Sequence, residues 1–284
     1  MSTVPIVALV GGTGFIGQAT MHALLARGCH IRLISRHKPT FSLPDSVTWH
    51  AADTAHPDSL ISPFQGCTSV IHLVAVLAER GQPFTHTILQ STVNTVQAAH
   101  TAQVAHFVYV SALEASPTSP SRYTCAKGMA ENAVRTFYPF STIARPSLVI
   151  GDGGGFRQQI DLLTRYMPIM VLPGMGHSRF QPIDVQSVAE TLAKQALTPP
   201  HKAKTLLLAG PHVYTFRQLA QTELSRLKRQ RIFLPLPWWV TWLIAYAFHI
   251  LDRLTCYRLI PLWLLVTPDQ VSLLKQENIV TSPK

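Results

Sequence analysis

Tyr123 and Lys127 stand four residues apart in the stretch SRYTCAKGMAEN, residues 121–132. On a helix that spacing puts both side chains on one face. A phenol with an ordinary pKa of about 10 is a poor base at neutral pH. An ammonium one turn away favours its ionised form, so the pair could pass a proton to or from a bound substrate. The same two residues could also sit unrelated on a helix surface. The stretch alone does not choose; what the chain places beside it does.

A second stretch with chemistry in it is VGGTGFIG, which sets Gly11, Gly14 and Gly17 in a Gly-x-x-Gly-x-x-Gly array. It follows VPIVALV (4–10), an apolar, β-branched run that reads as a strand buried on both faces. It precedes GQATMHALLARG, which reads as an amphipathic helix closed by Gly28. In that setting Gly11 serves a tight turn, Gly14 the approach of a pyrophosphate, and Gly17 the packing of helix on strand. The helix N-terminus offers N–H groups and partial positive charge to the phosphates. A glycine turn serving packing alone would look the same. After the second strand, HIRLISR (30–36), an NAD-specific protein would present an acid to the ribose 2′-hydroxyl. Here the residues are Ser35, Arg36, His37 and Lys38. No acid repels a 2′-phosphate, and Arg36 can make charge-assisted bonds to one. NADP(H) is therefore favoured over NAD(H), unless Arg36 is only a solvated loop cation. Asp53 either contacts the adenine edge or serves an ordinary turn.

These residues need a scaffold. VTWHAAD (47–53), SVIHLVAV (69–76), HFVYVSA (106–112), STIARPSLVI (141–150) and KTLLLAG (204–210) read as further strands. Residues 88–104, 123–137 and 184–197 read as helices, the last with Asp184 as N-cap. Strands alternating with helices predict an α/β, Rossmann-type doubly wound parallel sheet. Ser111 then falls at the carboxyl edge, where such sheets bind ligands. The expected division is an NADP(H)-binding domain over 1–150, completed by 184–210. A smaller C-terminal lobe, facing substrate or membrane, comes from 151–183 and 211–284. Residues 157–183 are punctuated by Pro and Gly and poorly periodic.

The chain resembles short-chain dehydrogenases/reductases of the extended or atypical kind. The matching pieces are the glycine array, VIHLVAV, Ser111, Tyr123-x-x-x-Lys127 and ARPSLVIGDG. The resemblance implies that Ser111 holds a substrate oxygen and Tyr123 donates or accepts the proton. It implies that Lys127 binds the nicotinamide ribose and lowers the tyrosine pKa. It also implies cofactor contacts at Gly11, Thr13, Gly14, Phe15, Ile16, Gly17, Arg36, Asp53, Leu73, Val74, Lys127 and Pro146. A narrower resemblance covers nearly the whole chain, through HFVYVSALEASPTSPSRYTCAKGMAE, RPSLVIGDGGGF, LPGMGHSRFQPIDVQSVAETL, LLLAGPHVYTFRQLAQ and TPDQVSLLKQENIV. These look like the atypical subgroup containing the nucleotide-binding accessory subunit of respiratory complex I and its bacterial and ubiquinone-biosynthesis relatives. The mitochondrial member holds NADPH tightly and serves structure, so the resemblance implies bound nucleotide and leaves turnover open. The second lobe lacks a recognisable nucleotide-sugar contact set. Arg179 in SRFQPI could hold an anionic substrate group or pair locally.

Composition bounds the partners. Of 284 residues 47% are apolar and only 13% charged, with Lys+Arg 24 against Asp+Glu 14 and a net charge of +10. A basic, charge-poor chain could meet nucleic acid, anionic lipid or an anionic cofactor. No basic stripe alternates with aromatics, so nucleic acid is not expected. Cys29, Cys67, Cys125 and Cys256 have no paired spacing, which argues against a zinc site or a disulfide framework. The thirteen histidines show no metal-binding spacing. MSTVPIVALVGG has no basic n-region, so cytoplasmic synthesis is expected. In LPLPWWVTWLIAYAFHILDRL (234–254), residues 238–251 are apolar almost all round a helix, but too short to span a bilayer. SRLKRQR (225–231) precedes them; Arg253, Arg258 and LIPLWLLV (259–266) follow. Cations flanking Trp-rich apolar segments suit the interface of an anionic membrane, with Trp238, Trp239 and Trp242 at the headgroups. The other readings are a buried lid over the cleft and a dimer interface. Two functions follow. One is an NADP(H)-dependent oxidoreductase acting on a hydrophobic carbonyl or quinone-like substrate, peripheral on the cytoplasmic face of a membrane. The other is a non-catalytic NADPH-holding factor for a membrane redox complex.

Overall fold

Val7 and Leu9 face one side of the first strand and Ala8 and Val10 the other, and all four are buried. A strand buried on both faces needs helices on both, and this is what the computed structural model has. It describes residues 4–76, 78–79, 81–198, 201–255, 261 and 266–280. The strands in chain order are β1 (Ile6–Val10), β2 (His30–Ser35), β3 (Val47–Ala51), β4 (Ser69–His72), β5 (His106–Val110), β6 (Thr142–Pro146), β7 (Val149–Ile150), β8 (Ile169–Pro173), β9 (Arg179–Phe180), β10 (Ile183–Asp184), β11 (Lys204–Leu208), β12 (Tyr214–Thr215) and β13 (Ile232–Leu236). The α-helices are α1 (Phe15–Leu25), α2 (Asp58–Phe64), α3 (Ser91–Thr101), α4 (Arg122–Phe137), α5 (Gly155–Tyr166), α6 (Val185–Leu197), α7 (Phe216–Arg226), α8 (Trp238–Leu254) and α9 (Pro268–Lys275).

Seven strands form one parallel sheet in the order β11-β6-β5-β4-β1-β2-β3. The order reverses between β1 and β4, so the carboxyl ends of these two strands open a crevice at the switch point. On one face α1 and α6 pack through Met21, Leu24, Val188 and Leu192. On the other, α3 and α4 pack through Val96, Ala99, Ala130 and Val134. The α/β doubly wound reading is the observed fold.

Several boundaries differ from the sequence reading. The strand expected over 69–76 ends at His72, and that over 47–53 ends at Ala51. The strand expected over 141–150 breaks after Pro146 into β6 and β7. Before α3 the chain takes a π-helical turn over Thr85–Gln90. Residues 157–183, which lack periodicity, nonetheless carry most of α5 and all of β8. β8 pairs in parallel with the distant β13, Ile169 standing opposite Ile232, so a non-local partner supplies what local pattern does not. Asp184 caps α6 as expected, its carboxylate accepting from Gln186 N at 2.8 Å. Cys256, Arg258 and all but two residues of 259–266 lie outside the described residues.

Candidate functional site

Gly11 follows β1 with φ +80°, a backbone region where only glycine is unstrained. A Cβ there would stand 3.1 Å from Val74 N, so the loop after β4 closes on it. A Cβ on Gly17 would stand 2.5 Å from Gly12 Cα, which enforces glycine where α1 crosses the loop. Gly12, which the three-glycine pattern passes over, is equally constrained: its Cβ would fall 2.4 Å from Leu33 Cδ1. Gly14 is different. A Cβ there would meet only Gly11 O, at an ordinary 3.4 Å, so packing within the protein does not demand glycine. It also opens α1 as an N-cap without a side-chain cap, and the first turn holds no acid. An uncapped helix start behind a glycine that faces open space fits a pyrophosphate. Thr13 O accepts from Gln18 Nε2 at 2.9 Å, and Ile16 O accepts from Thr20 Oγ1 at 2.8 Å. The Phe15 side chain lies against Gly151, Gly154 and Gly155, where added Cβ atoms would fall 2.6 to 3.6 Å from its ring. The turn GDGGGF thus closes on the glycine loop.

The other expected residues sit at strand ends along the same edge. Arg36 follows β2 and is exposed; Ser35 accepts from Trp49 Nε1 at 3.0 Å and donates to His37 O at 2.8 Å. Asp53 makes the turn after β3, its Oδ1 accepting from Ala55 N at 3.0 Å. Leu73 N donates to Val10 O at 2.9 Å, and Val74 faces Gly11. Pro146 ends β6, its carbonyl accepting from Leu113 N at 3.2 Å. Arg179 pairs with Glu277, a residue distant in sequence, through two bonds of 2.7 and 2.6 Å.

Ser111 and the Lys127 ammonium lie at the end of β5, and Tyr123 lies in the first turn of α4, its ring against Phe84. Ser111 follows β5, is buried, and its Oγ has no hydrogen-bond partner among the described residues. It shares this state with other buried polar atoms, among them the Tyr109 hydroxyl and Thr142 Oγ1, and differs from these two in lying at the carboxyl edge of the sheet. Lys127 is 2% exposed. Its Nζ donates to Val110 O, the residue before Ser111, at 2.8 Å and lies 4.9 Å from the centre of the Tyr109 ring. Burial lowers its pKa to about 7, opposed by the Glu131 charge. Glu131, one turn further along α4, takes a bidentate pair from Arg145 at 2.8 and 2.7 Å. Its place four residues after Lys127 is the sequence signal for it; its pairing with β6 has none.

Burial first, and then the Asp269 carboxylate, push the Tyr123 phenol up to about 12. The Lys127 ammonium is held at the Val110 carbonyl. Asp269 is a site residue that sequence reasoning misses. It belongs to α9 and accepts from the first turn of α4, far away in sequence with no local signal.

Beside that turn lies a cavity of about 290 Å³, lined by Phe84, Arg122, Trp242, Tyr246, His249 and Asp269 among others. Phe84 lines it and meets the Tyr123 ring edge-on, with centroids 5.7 Å apart. One wall is therefore α8. That helix is not buried all round: only Thr241, Ala245 and Asp252 are. Its outer face carries Trp239 (71% exposed), Leu243 (65%), Tyr246, Ile250 and Leu254 (77%). Trp238 lies on Gly174, and Trp242 stacks on Tyr246, so Trp239 alone of the three stands well out. Nor is SRLKRQR a loose cationic tag. Arg226 pairs with Glu223, Arg229 with Asp161 at 2.8 Å, and Arg231 donates to Thr164 O. No helix among the described residues is long and apolar enough to cross a membrane.

A family model described as NAD(P)H-binding matches residues 11–162, more than half the chain. The chain belongs to that NAD(P)H-binding family. Its relatives include the mitochondrial NADH dehydrogenase [ubiquinone] 1 alpha subcomplex subunit 9 of Arabidopsis thaliana, 28% identical over 82% of this chain and 60% of that protein. A ceramide reductase of Caulobacter vibrioides is 29% identical over 68% of this chain and 62% of that protein. The chain thus spans about three fifths of the length of these curated relatives. Among solved structures, the NADPH-dependent quinone oxidoreductase QOR2 of Escherichia coli, complexed with NADPH, superposes with a TM-score of 0.70 at 19% identity, over 95% of this chain and 89% of that one. Family membership and fold agree with the glycine loop: this is an NAD(P)-binding Rossmann protein of the extended dehydrogenase/reductase kind, related to the complex I accessory subunit.

Proposed function

We propose that this protein is an NADP(H)-dependent oxidoreductase that reduces a hydrophobic carbonyl or quinone-like substrate at a membrane surface. The observation that supports the reading is the buried Ser111 hydroxyl, without a partner among the described residues, one residue after the Val110 carbonyl that holds Lys127. A bound reduced nicotinamide supplies a hydride to the carbonyl carbon. Ser111 donates a hydrogen bond to the carbonyl oxygen. The Tyr123 phenol gives its proton to that oxygen as the double bond becomes single. A phenol held at about 12 is fully protonated at neutral pH, which suits giving a proton rather than taking one. Lys127 would hold the nicotinamide ribose and Arg36 the adenosine 2′-phosphate. The remaining cofactor contacts are backbone groups of 11–17 and the edge residues Asp53, Leu73, Val74 and Pro146. In this reading 1–150 with 184–210 is the cofactor domain, and 151–183 with 211–284 the lobe facing substrate and membrane. The cavity lined by Phe84 takes the apolar part of the substrate.

A second reading rests on Lys127. Its ammonium is held by the Val110 carbonyl, an arrangement also suited to holding NADPH without turnover. Similarity to a subunit of NADH dehydrogenase [ubiquinone] supports a place in an assembly. The test is Tyr123→Phe, assayed for NADPH oxidation with a panel of hydrophobic ketones and quinones. The oxidoreductase reading expects turnover to fall about 100-fold or more, with NADPH affinity kept. Unchanged turnover sinks it, and absence of turnover in the wild type across the panel, with NADPH bound, favours the holding role.

A further inference from the structure

One carboxylate from the C-terminal segment takes three hydrogen bonds from the start of α4. Asp269 Oδ1 accepts from Arg122 N at 2.6 Å; Oδ2 accepts from Tyr123 N at 3.3 Å and from Ser121 Oγ at 3.1 Å. Ser121 is the N-cap of that helix, and its hydroxyl also accepts from Thr124 N at 3.4 Å. The free N–H groups at a helix start attract a negative charge. Here that charge comes from a different element, and it falls on the turn that carries Tyr123.

Asp269 is presented rigidly. α9 begins with a capping box, Thr267 with Gln270, and Pro268 stands in its first turn. The chain after α9 is fastened to the rest of the site edge. Glu277 pairs with Arg179, and Asn278 Oδ1 accepts from Leu148 N at 2.7 Å. Asn278 N also donates to Arg179 O, and its carbonyl accepts from Gln181 N. α9 packs in turn on α8, whose outer face is apolar and exposed.

We propose that Asp269 is the positioning residue of the Tyr123 helix: docking of the C-terminal segment sets its carboxylate against the first turn of α4 and orders Tyr123. This deepens the reading of Tyr123 as the acid and rests on it. The charged and titratable groups around that turn are Arg122 and Lys127 on α4, Glu79 from the preceding loop, Tyr109 from β5, His249 from α8 and Asp269 from α9. Glu79 is already paired with Arg122 at 2.7 Å. Asp269 is thus the carboxylate whose removal bears most directly on the phenol.

Two variants of the full chain separate position from charge. Asp269→Asn keeps an acceptor oxygen and loses the charge; Asp269→Ala loses both. Hydrogen exchange reads the first turn, and tyrosinate absorbance reads the phenol, each variant being compared with its own Tyr123→Phe control. In Asp269→Ala the amides of 122–124 should exchange at least about tenfold faster while β1 and β4 stay protected. In Asp269→Asn they should keep most of their protection. In that variant Tyr123 should ionise measurably lower than in the wild type, by less than about one pH unit, because burial, the larger cause, remains. Wild-type exchange in Asp269→Ala, or wild-type ionisation in Asp269→Asn, overturns the proposal. If Asp269→Ala does not fold, the Asn variant alone decides. Neither readout uses a substrate, so their failure removes the role of Asp269 and leaves Tyr123 to be judged by turnover.

Discussion

Lys127 places a cation where burial opposes it. A single carbonyl and the face of Tyr109 are its immediate company, and Glu131 is shared with Arg145. Its folded pKa is about 7 and its ordinary value 10.5, so between those pH values the unfolded chain binds more protons than the folded one. Stability therefore rises with pH in that window, and the charged form weighs against folding at or below pH 7. Lys127→Met should raise the thermal stability of the nucleotide-free protein at pH 7, by on the order of 1 kcal/mol. It should flatten the rise between pH 7 and 9 and weaken NADPH binding. Thermal scans across pH check the first two effects and fluorescence titration the third; a less stable variant contradicts the argument. Arg36 gives the second prediction at this scale. NADPH should bind at least tenfold more tightly than NADH, about 1.4 kcal/mol, and Arg36→Ala should erase the difference. Equal affinities in the wild type remove its role.

The helix that carries Tyr123 depends on a close approach that one residue permits. A Cβ on Gly128 would lie 2.4 Å from Ser116 C and 2.6 Å from Pro117 N, both backbone atoms. The loop leading from Ser111 to α4 therefore rests directly on the helix, and Ser116 N bonds Thr124 O at 3.2 Å. Gly128→Ala must push that loop away. It should cost about 1–3 kcal/mol as an overpacked contact, despite the better helix propensity of alanine. Because Ser111 and Tyr123 flank the displaced segment, activity should fall more than stability. A denaturant titration beside an activity assay tests this; a variant as stable as the wild type would show that the loop yields freely.

At the level of the whole molecule, apolar surface gathers on the C-terminal lobe. Besides α8, the paired strands β8 and β13 turn Ile169, Val171, Ile232 and Leu234 outward, with Ile169 opposite Ile232 and Val171 opposite Leu234. Exposed aliphatic pairs where a sheet would meet water mark a contact surface. The protein should bind vesicles containing anionic lipid, as its net charge favours. Because Arg226 and Arg229 are spent on carboxylates and Arg231 on a carbonyl, screening should release only a minor part. Replacing Trp239, Leu243 and Ile250 together by serine should abolish binding in a flotation assay and leave NADPH affinity unchanged. Wild-type protein that stays free of anionic vesicles at low salt would remove the membrane from the proposed function.

The amino-acid sequence by itself determined the sheet and its cofactor loop. β-Branched runs ending in glycine, with a helix after each, specify strands buried on both faces, and the ligand edge follows from that topology. Gly11 and Gly17 were legible because the turn after β1 and the start of α1 are set by near neighbours in the chain, and Ser111 because it ends a strand. Only the tertiary structure decided what lay between distant segments. β8 and β13 have no meaning until they pair; α8 reads as apolar all round until α9 and the loop around Glu79 and Phe84 give it an inside. The partner of Arg179 proved to be Glu277, and the carboxylate on the Tyr123 helix proved to be Asp269. Hydrophobic period is a local property that survives in a single stretch of sequence. The pKa of a phenol is set by burial and by whichever charges the fold brings within a few ångströms, and no spacing along the chain records those.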